Sequence, residues 1–148
     1  MIRLEASLKT SFWQACARIL LGLMLLQAGV SHLTYARIPF RAQVPSWLPM
    51  SPDLVVVLSG IVEILLGASL VLLYKHKTYV GLIVTLFFIA IFPGNIAQYV
   101  GHRSAFGLDT DTSRLVRLFF QPVLVAWALW STGAWSALMK WRRTTSPI

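Results

Sequence analysis

The stretch "YVGLIVTLFFIAIFPGNIAQYV", residues 79–100, carries no charged side chain. A helix rises about 1.5 Å per residue, so a run of this length crosses a hydrocarbon core of about 30 Å. The same stretch sets Pro93, Gly94 and Asn95 in a row and then adds Gln98. A lipid-facing helix gains nothing from them: proline removes a ladder donor, glycine loosens the helix, and an unpaired carboxamide is costly in hydrocarbon. Interrupted backbone is tolerated at membrane depth where it is buried in protein or lines a wet cavity. The stretch therefore predicts a spanning helix broken at Pro93–Gly94, beside something polar.

Three further apolar runs, roughly 12–34, 54–74 and 114–138, are long enough to span. The four runs nearly exhaust the 148 residues. The expectation is a single integral membrane domain over 1–148, all-α, built as a four-transmembrane-helix bundle. Composition agrees: 12% of residues are charged and mean hydropathy is +0.70, against about a quarter charged in soluble domains. The first run does not read as a secretory signal, because its apolar core is too long and "AGVSHL" leads into polar, Pro-rich sequence without a small-x-small site.

Between the first two runs, "TYARIPFRAQVPSWLPMSPD" (34–53) holds four prolines and reads as an extended or turning external loop. Trp47 within it suits the headgroup layer. Ser51, Pro52 and Asp53 read as N-cap, first helical residue and dipole partner of the second span. The formal net charge is +8. The cations flank the spans, which points to lipid headgroups and orientation rather than nucleic acid. Arg3, Lys9, Lys75, Lys77, Lys140, Arg142 and Arg143 fall on one side of a four-span map, with Glu5 as the single acid there. Arg37, Arg41, Arg103, Arg114 and Arg117 fall on the other, with Asp53, Asp109 and Asp111. The positive-inside rule then places both termini in the cytoplasm of a bacterial-type inner membrane. Cys16 is the only cysteine, which excludes an internal disulfide, a CxxC pair and a thiolate metal cluster.

Each span carries a stripe of small and polar residues. On the first, Gln14, Arg18, Gly22, Gly29 and His32 align at 100° per residue, while Gln27 and Ser31 fall on the opposite side. The second aligns Ser59, Gly60, Glu63 and Gly67; the third Asn95, Gln98 and His102; the fourth Arg114, Arg117 and Gln121. Helix packing accounts for the glycines and serines. Glu63 is different, since an intramembrane carboxylate is a functional candidate by default. Its expected partner is Arg18, in a structural ion pair. Pro93 frees the carbonyl of Ile89 and Pro122 that of Leu118, so both helices are expected to break in the outer half of the bilayer. These positions predict an outward-opening, ligand-binding pocket walled by Glu63, Asn95, Arg117 and Gln121, with His32 and Trp47 near its mouth.

"GLMLLQAGVSHL", "LSGIVEILLGASLVL" and "FPGNI", with "VPSWLP" and "RLFFQP", resemble the DoxX-like membrane proteins over nearly the whole chain. The resemblance implies a four-helix membrane fold and an association with redox chemistry. It touches Gly29, His32, Ser59, Gly60, Glu63, Gly67, Pro93, Asn95, Gln121 and Pro122, and implies no catalytic role for any of them. Cysteine-bearing branches of that family handle disulfides; this chain lacks their dithiol, so that activity does not carry over. The leading expectation is a redox-associated subunit, possessing no electron store of its own, that binds a quinone or other small ligand and works with a redox protein partner. The alternatives are a non-enzymatic assembly or scaffold protein, with or without oligomerisation, and a haem or metal protein using His32 and His102, for which two helix-end histidines are thin support. No metal ligand set stands out, and catalytic residues are unassigned. Topology is directly testable: reporter fusions at Ile148 and near Arg41 are expected to read cytoplasmic and external respectively, and the same reading from both would discard the four-span map.

Overall fold

A computed structural model describes residues 8–145, and among them every regular element is helical. α1 (Phe12–Leu33) begins with a reciprocal cap. Ser11 Oγ accepts from the Gln14 backbone N–H, and the Gln14 side chain accepts from the Ser11 N–H, so two orphan donors are satisfied. The Pro-rich connection is more ordered than its prolines suggest: it forms the short α2 (Arg37–Phe40) and a 3-10 turn, Arg41–Gln43. Pro39 fits because it lies in the first turn of α2, where its missing N–H would have no intrahelical partner. α3 (Pro52–Leu72) starts as its sequence predicts, with Ser51 accepting from the Leu54 N–H and Asp53 in the first turn. α4 (Lys77–Val100) follows the 3-10 turn Tyr74–His76. Thr110 and Ser113 form the reciprocal cap of α5 (Asp111–Ser131), and α6 (Ala134–Thr145) completes the described chain.

Two expectations need correction. α4 and α5 do not break at Pro93, Gly94 or Pro122; each helix continues through its proline. Neither proline is buried in packing: Pro93 lines the cavity described below, and Pro122 is exposed. Nor is 114–138 one straight span. α5 ends at Ser131, Gly133 takes a positive φ of 75°, and α6 leaves at 77° to α5. A left-handed residue stops a helix, and glycine adopts it without a Cβ penalty.

Three helices are long and apolar enough to cross a membrane: Phe12–Leu33, Pro52–Leu72 and Tyr74–Val100, the last counted with its leading turn. α5 and α6 qualify only as a bent pair. The distribution of side chains supports a membrane setting. Leu20, Leu23, Leu58, Leu65, Ile83 and Leu86 face outward, while Arg18, His32, Glu63, Asn95, Gln98 and Gln121 are buried. In water this arrangement would be inside out; in lipid it hides the groups that hydrocarbon penalises.

α1 lies along α3, and α4 along α5, with lesser contacts joining α1 to α5 and α3 to α4. The α1–α3 contact is backbone on backbone and antiparallel. A Cβ on Gly67 would stand 2.6 Å from the Gly22 carbonyl oxygen, and one on Gly29 would stand 2.5 Å from the Gly60 carbonyl oxygen. Small residues at such a seam let dispersion contacts accumulate where lipid gives helices no hydrophobic drive to associate. Leu21, Leu25, Leu66, Leu70, Val80, Val84, Phe88 and Ala128 fill the centre.

Arg18 does not pair with Glu63. Its guanidinium donates to the carbonyl of Leu70, in the last turn of α3. Leu70 lies seven residues beyond Glu63, about 10 Å along the helix, so Arg18 is level with the end of α3 rather than with the carboxylate. There it satisfies an orphan carbonyl and complements the negative end of the helix dipole. Gly67→Val is expected to lower stability in detergent by about 1–3 kcal/mol or more, since overpacking must separate two backbones. Leu65→Ala, on the outward face, should cost far less. Equal melting temperatures for the two variants would discount the glycine seam.

Candidate functional site

The seam that joins α1 to α3 also positions the first polar pair. A Cβ on Gly60 would stand 2.7 Å from the Cβ of His32, so glycine there lets His32 come up against α3. His32 Nδ1 lies 2.6 Å from Glu63 Oε2. The residues are only 6% and 5% exposed, and neither of these two atoms has another hydrogen-bonding partner among the described residues. The expected ion pair of Glu63 is thus replaced: its partner is His32, in the last turn of α1, rather than Arg18. His32 accordingly sits in the wall beside Glu63 and not at a mouth.

The second pair joins α4 to α5. Asn95 Nδ2 donates to Gln121 Oε1 at 3.0 Å, and Gln121 Nε2 donates to the Phe88 carbonyl at 2.7 Å. Both amides are buried. The Phe88 carbonyl is one residue upstream of the Ile89 carbonyl that Pro93 leaves free, so the amide ties α5 to α4 beside the proline.

Arg117 supplies the third polar group. With the Gln43 carboxamide turned so that its oxygen meets the guanidinium, Gln43 accepts from Arg117 Nε at 3.2 Å and Nη2 at 2.6 Å. The guanidinium also stands 5.4 Å from the Phe106 ring centroid, within cation–π range. Phe106 packs on Phe40, and Phe40 on His32. Contacts thus run from Glu63 through His32, Phe40 and Phe106 to Arg117.

The two connections at this end are tied to the helices by arginines. Arg37 and Arg41 both bind the Asp53 carboxylate, whose hydrogen bond and charge raise the Arg37 guanidinium above its ordinary value. Arg103 donates to the carbonyls of Ala42 and Val44. Arg114 holds Ser104 and the carbonyls of Arg103 and Asp109. A Cβ on Gly94 would come within 2.5 Å of the Gln43 carbonyl. Gly94 therefore serves as a seat for the connection rather than as a helix break.

These groups enclose a cavity of about 480 Å³, within the usual range for small-ligand sites. Glu63, His32, Asn95, Arg117, Gln121 and Trp47 all line it, and the remaining surface is largely apolar, including Leu25, Val56, Phe88 and Leu124. Trp47 is 71% exposed and stands at the rim. Gln43 and Phe40 belong to the site and were not expected. Only their placement by the folded connection reveals them, since the sequence around them reads simply as loop. Arg117 and Glu63 line the same cavity without making a direct ion pair with each other. His102 does not approach His32: it bonds Asp111 at 2.8 Å on an exposed turn, so the two histidines do not form a shared ligand set. No group of three metal-ligating side chains occurs among the described residues.

A family model described as a domain of unknown function, DUF8561, matches residues 21–132. The chain belongs to the DUF8561 family. The matched segment contains every residue lining the cavity, from Leu21 to Leu124, and stops before α6. No curated protein and no solved structure matches the chain.

A double-mutant cycle tests the buried pair. Glu63→Leu or His32→Leu alone strands a polar group and is expected to cost about 3 kcal/mol, with the double variant losing much less than the sum. The corresponding cycle on Arg18 and Glu63 should be additive. Coupling in the Arg18 cycle and none in the His32 cycle would reverse the assignment.

Proposed function

We propose that this DUF8561 member is a DoxX-like, four-helix-bundle protein of a bacterial-type inner membrane, redox-associated, whose cavity takes the polar head of a small ligand, a quinone-like one first. The observation that supports it is convergence. A carboxylate–imidazole pair, a carboxamide pair and a guanidinium, contributed by α1, α3, α4 and α5, line one otherwise apolar cavity of about 480 Å³. A bundle built only for stability would fill this level with Leu and Val, since polar contacts between membrane helices contribute about 0.6 kcal/mol on average.

The chemistry suits a flat molecule bearing carbonyl oxygens. Arg117 and the Asn95–Gln121 amides supply donors, and the apolar walls accept a ring. Reduction of a quinone to a quinol takes up two electrons and two protons. The His32–Glu63 pair is placed to hand over protons; a redox protein partner supplies the electrons, because a single cysteine forms no dithiol. In this reading the Pro-rich connection with Trp47 lies on the outer face, both termini are cytoplasmic, and α6 lies in the inner headgroup layer with Trp135 and Trp141.

Titration of the protein in lipid nanodiscs with a short-tailed benzoquinone is the test. Glu63→Gln and Asn95→Leu are each expected to weaken binding about tenfold or more, as loss of roughly 1.4 kcal/mol implies, with Leu65→Ala unchanged. Saturable binding that survives both substitutions in folded protein would reject the cavity as the site. No binding by the unaltered protein would reject the quinone class.

A further inference from the structure

Gln27 remains outside everything described so far. It lies on α1, exposed, and makes no hydrogen bond among the described residues. At 100° per residue it stands opposite the buried stripe of Arg18, Gly22, Leu25 and Gly29. Gln27 is six residues, about 9 Å, inside the end of α1. A helical side chain leans toward its own helix N-terminus, which here carries the carboxamide deeper into the span rather than out to the headgroups. A primary amide at that depth needs a partner, and none of the described residues supplies one.

Its neighbours on the same face are Cys16, Leu20, Leu23 and Val30, all exposed. With Gln27 they step by four, three, four and three residues. That is the 3.5-residue repeat that keeps one seam facing a second helix in a left-handed crossing. We infer that the outer face of α1 is a homodimer interface in which Gln27 of one copy hydrogen-bonds Gln27 of a second copy.

The second copy fits this face for a chemical reason. A carboxamide is self-complementary: its N–H₂ donates and its oxygen accepts, so two of them satisfy each other reciprocally. Two copies inserted in the same direction and related by a two-fold axis along the membrane normal set each α1 residue at the seam against its own counterpart. The repeat then brings Cys16 to the same seam, three turns from Gln27. Both cavities remain on the far side of α1, so the interface leaves the proposed ligand site untouched. The inference does not rest on that function.

The native cysteine makes the test direct. The full-length protein in membranes, at low density, is treated with a short bis-maleimide, and the product is sized after denaturation. A product of twice the chain mass through Cys16, lost in Cys16→Ser, is expected. Gln27→Leu should insert normally, being more apolar, and lower the cross-linked fraction about threefold to tenfold, the range typical of polar contacts between membrane helices. Gln27→Asn keeps the carboxamide and should retain most of it. In the Cys16→Ser background, Ile83→Cys, on the outward face of α4, should not cross-link. The inference is overturned if Cys16 yields no dimer, if Gln27→Leu leaves the fraction unchanged in inserted protein, if Ile83→Cys cross-links equally well, or if the product has the mass of a different partner.

Discussion

The approach of α1 to α3 at backbone distance underlies most of what this molecule does with its polar residues. Gly22 and Gly29 face Gly67 and Gly60 so closely that no side chain fits between them. The tight contact has two consequences. It gives two apolar helices a reason to associate in a solvent that is itself apolar. It also brings His32 and Glu63 into hydrogen-bonding reach, because a glycine at position 60 leaves room for the Cβ of His32. Arg18 is left at the end of α3, where it caps a carbonyl. One seam thus decides which side chain the carboxylate meets.

The second helix pair uses polar groups where the first uses glycine. Asn95 and Gln121 bond to each other and to a carbonyl just upstream of the ladder bond that Pro93 removes. The two halves then face each other across a cavity rather than closing on it. The arginine contacts of the connections hold α2 and residues 41–48 over that space: Arg37 and Arg41 on Asp53, and Arg103 on the carbonyls of Ala42 and Val44. Loops normally run over the surface. This one is held down by charge-assisted bonds and becomes a wall.

Electrostatically the site is a set of separated commitments. Glu63 is taken by His32, Arg117 by Gln43 and the Phe106 ring, and the amides by each other. Acid and guanidinium line the same cavity without touching one another. Collapse of the pair into a salt bridge would fill the space and leave a better-sealed bundle. Keeping them apart leaves both groups on the cavity surface.

The sequence by itself determined the apolar runs long enough to span a membrane, the N-terminal cap at Ser51, the inward stripes, and six of the side chains that line the cavity. Each follows from short-range physics: hydropathy over a span, backbone donors at a helix start, and a 3.6-residue period. Tertiary structure alone decided the rest. Whether proline breaks a helix or merely leaves one bond unmade depends on which way its ring faces and which side chain stands nearby. Which side chain pairs with Glu63 depends on how far α1 slides along α3. That Gln43 and Phe40 join the site depends on where arginines anchor a connection whose own sequence reads only as loop. The end of the last span depends on a single positive φ at Gly133, which hydropathy does not register. Distances between elements are set by packing, and periodicity within one element carries no information about them.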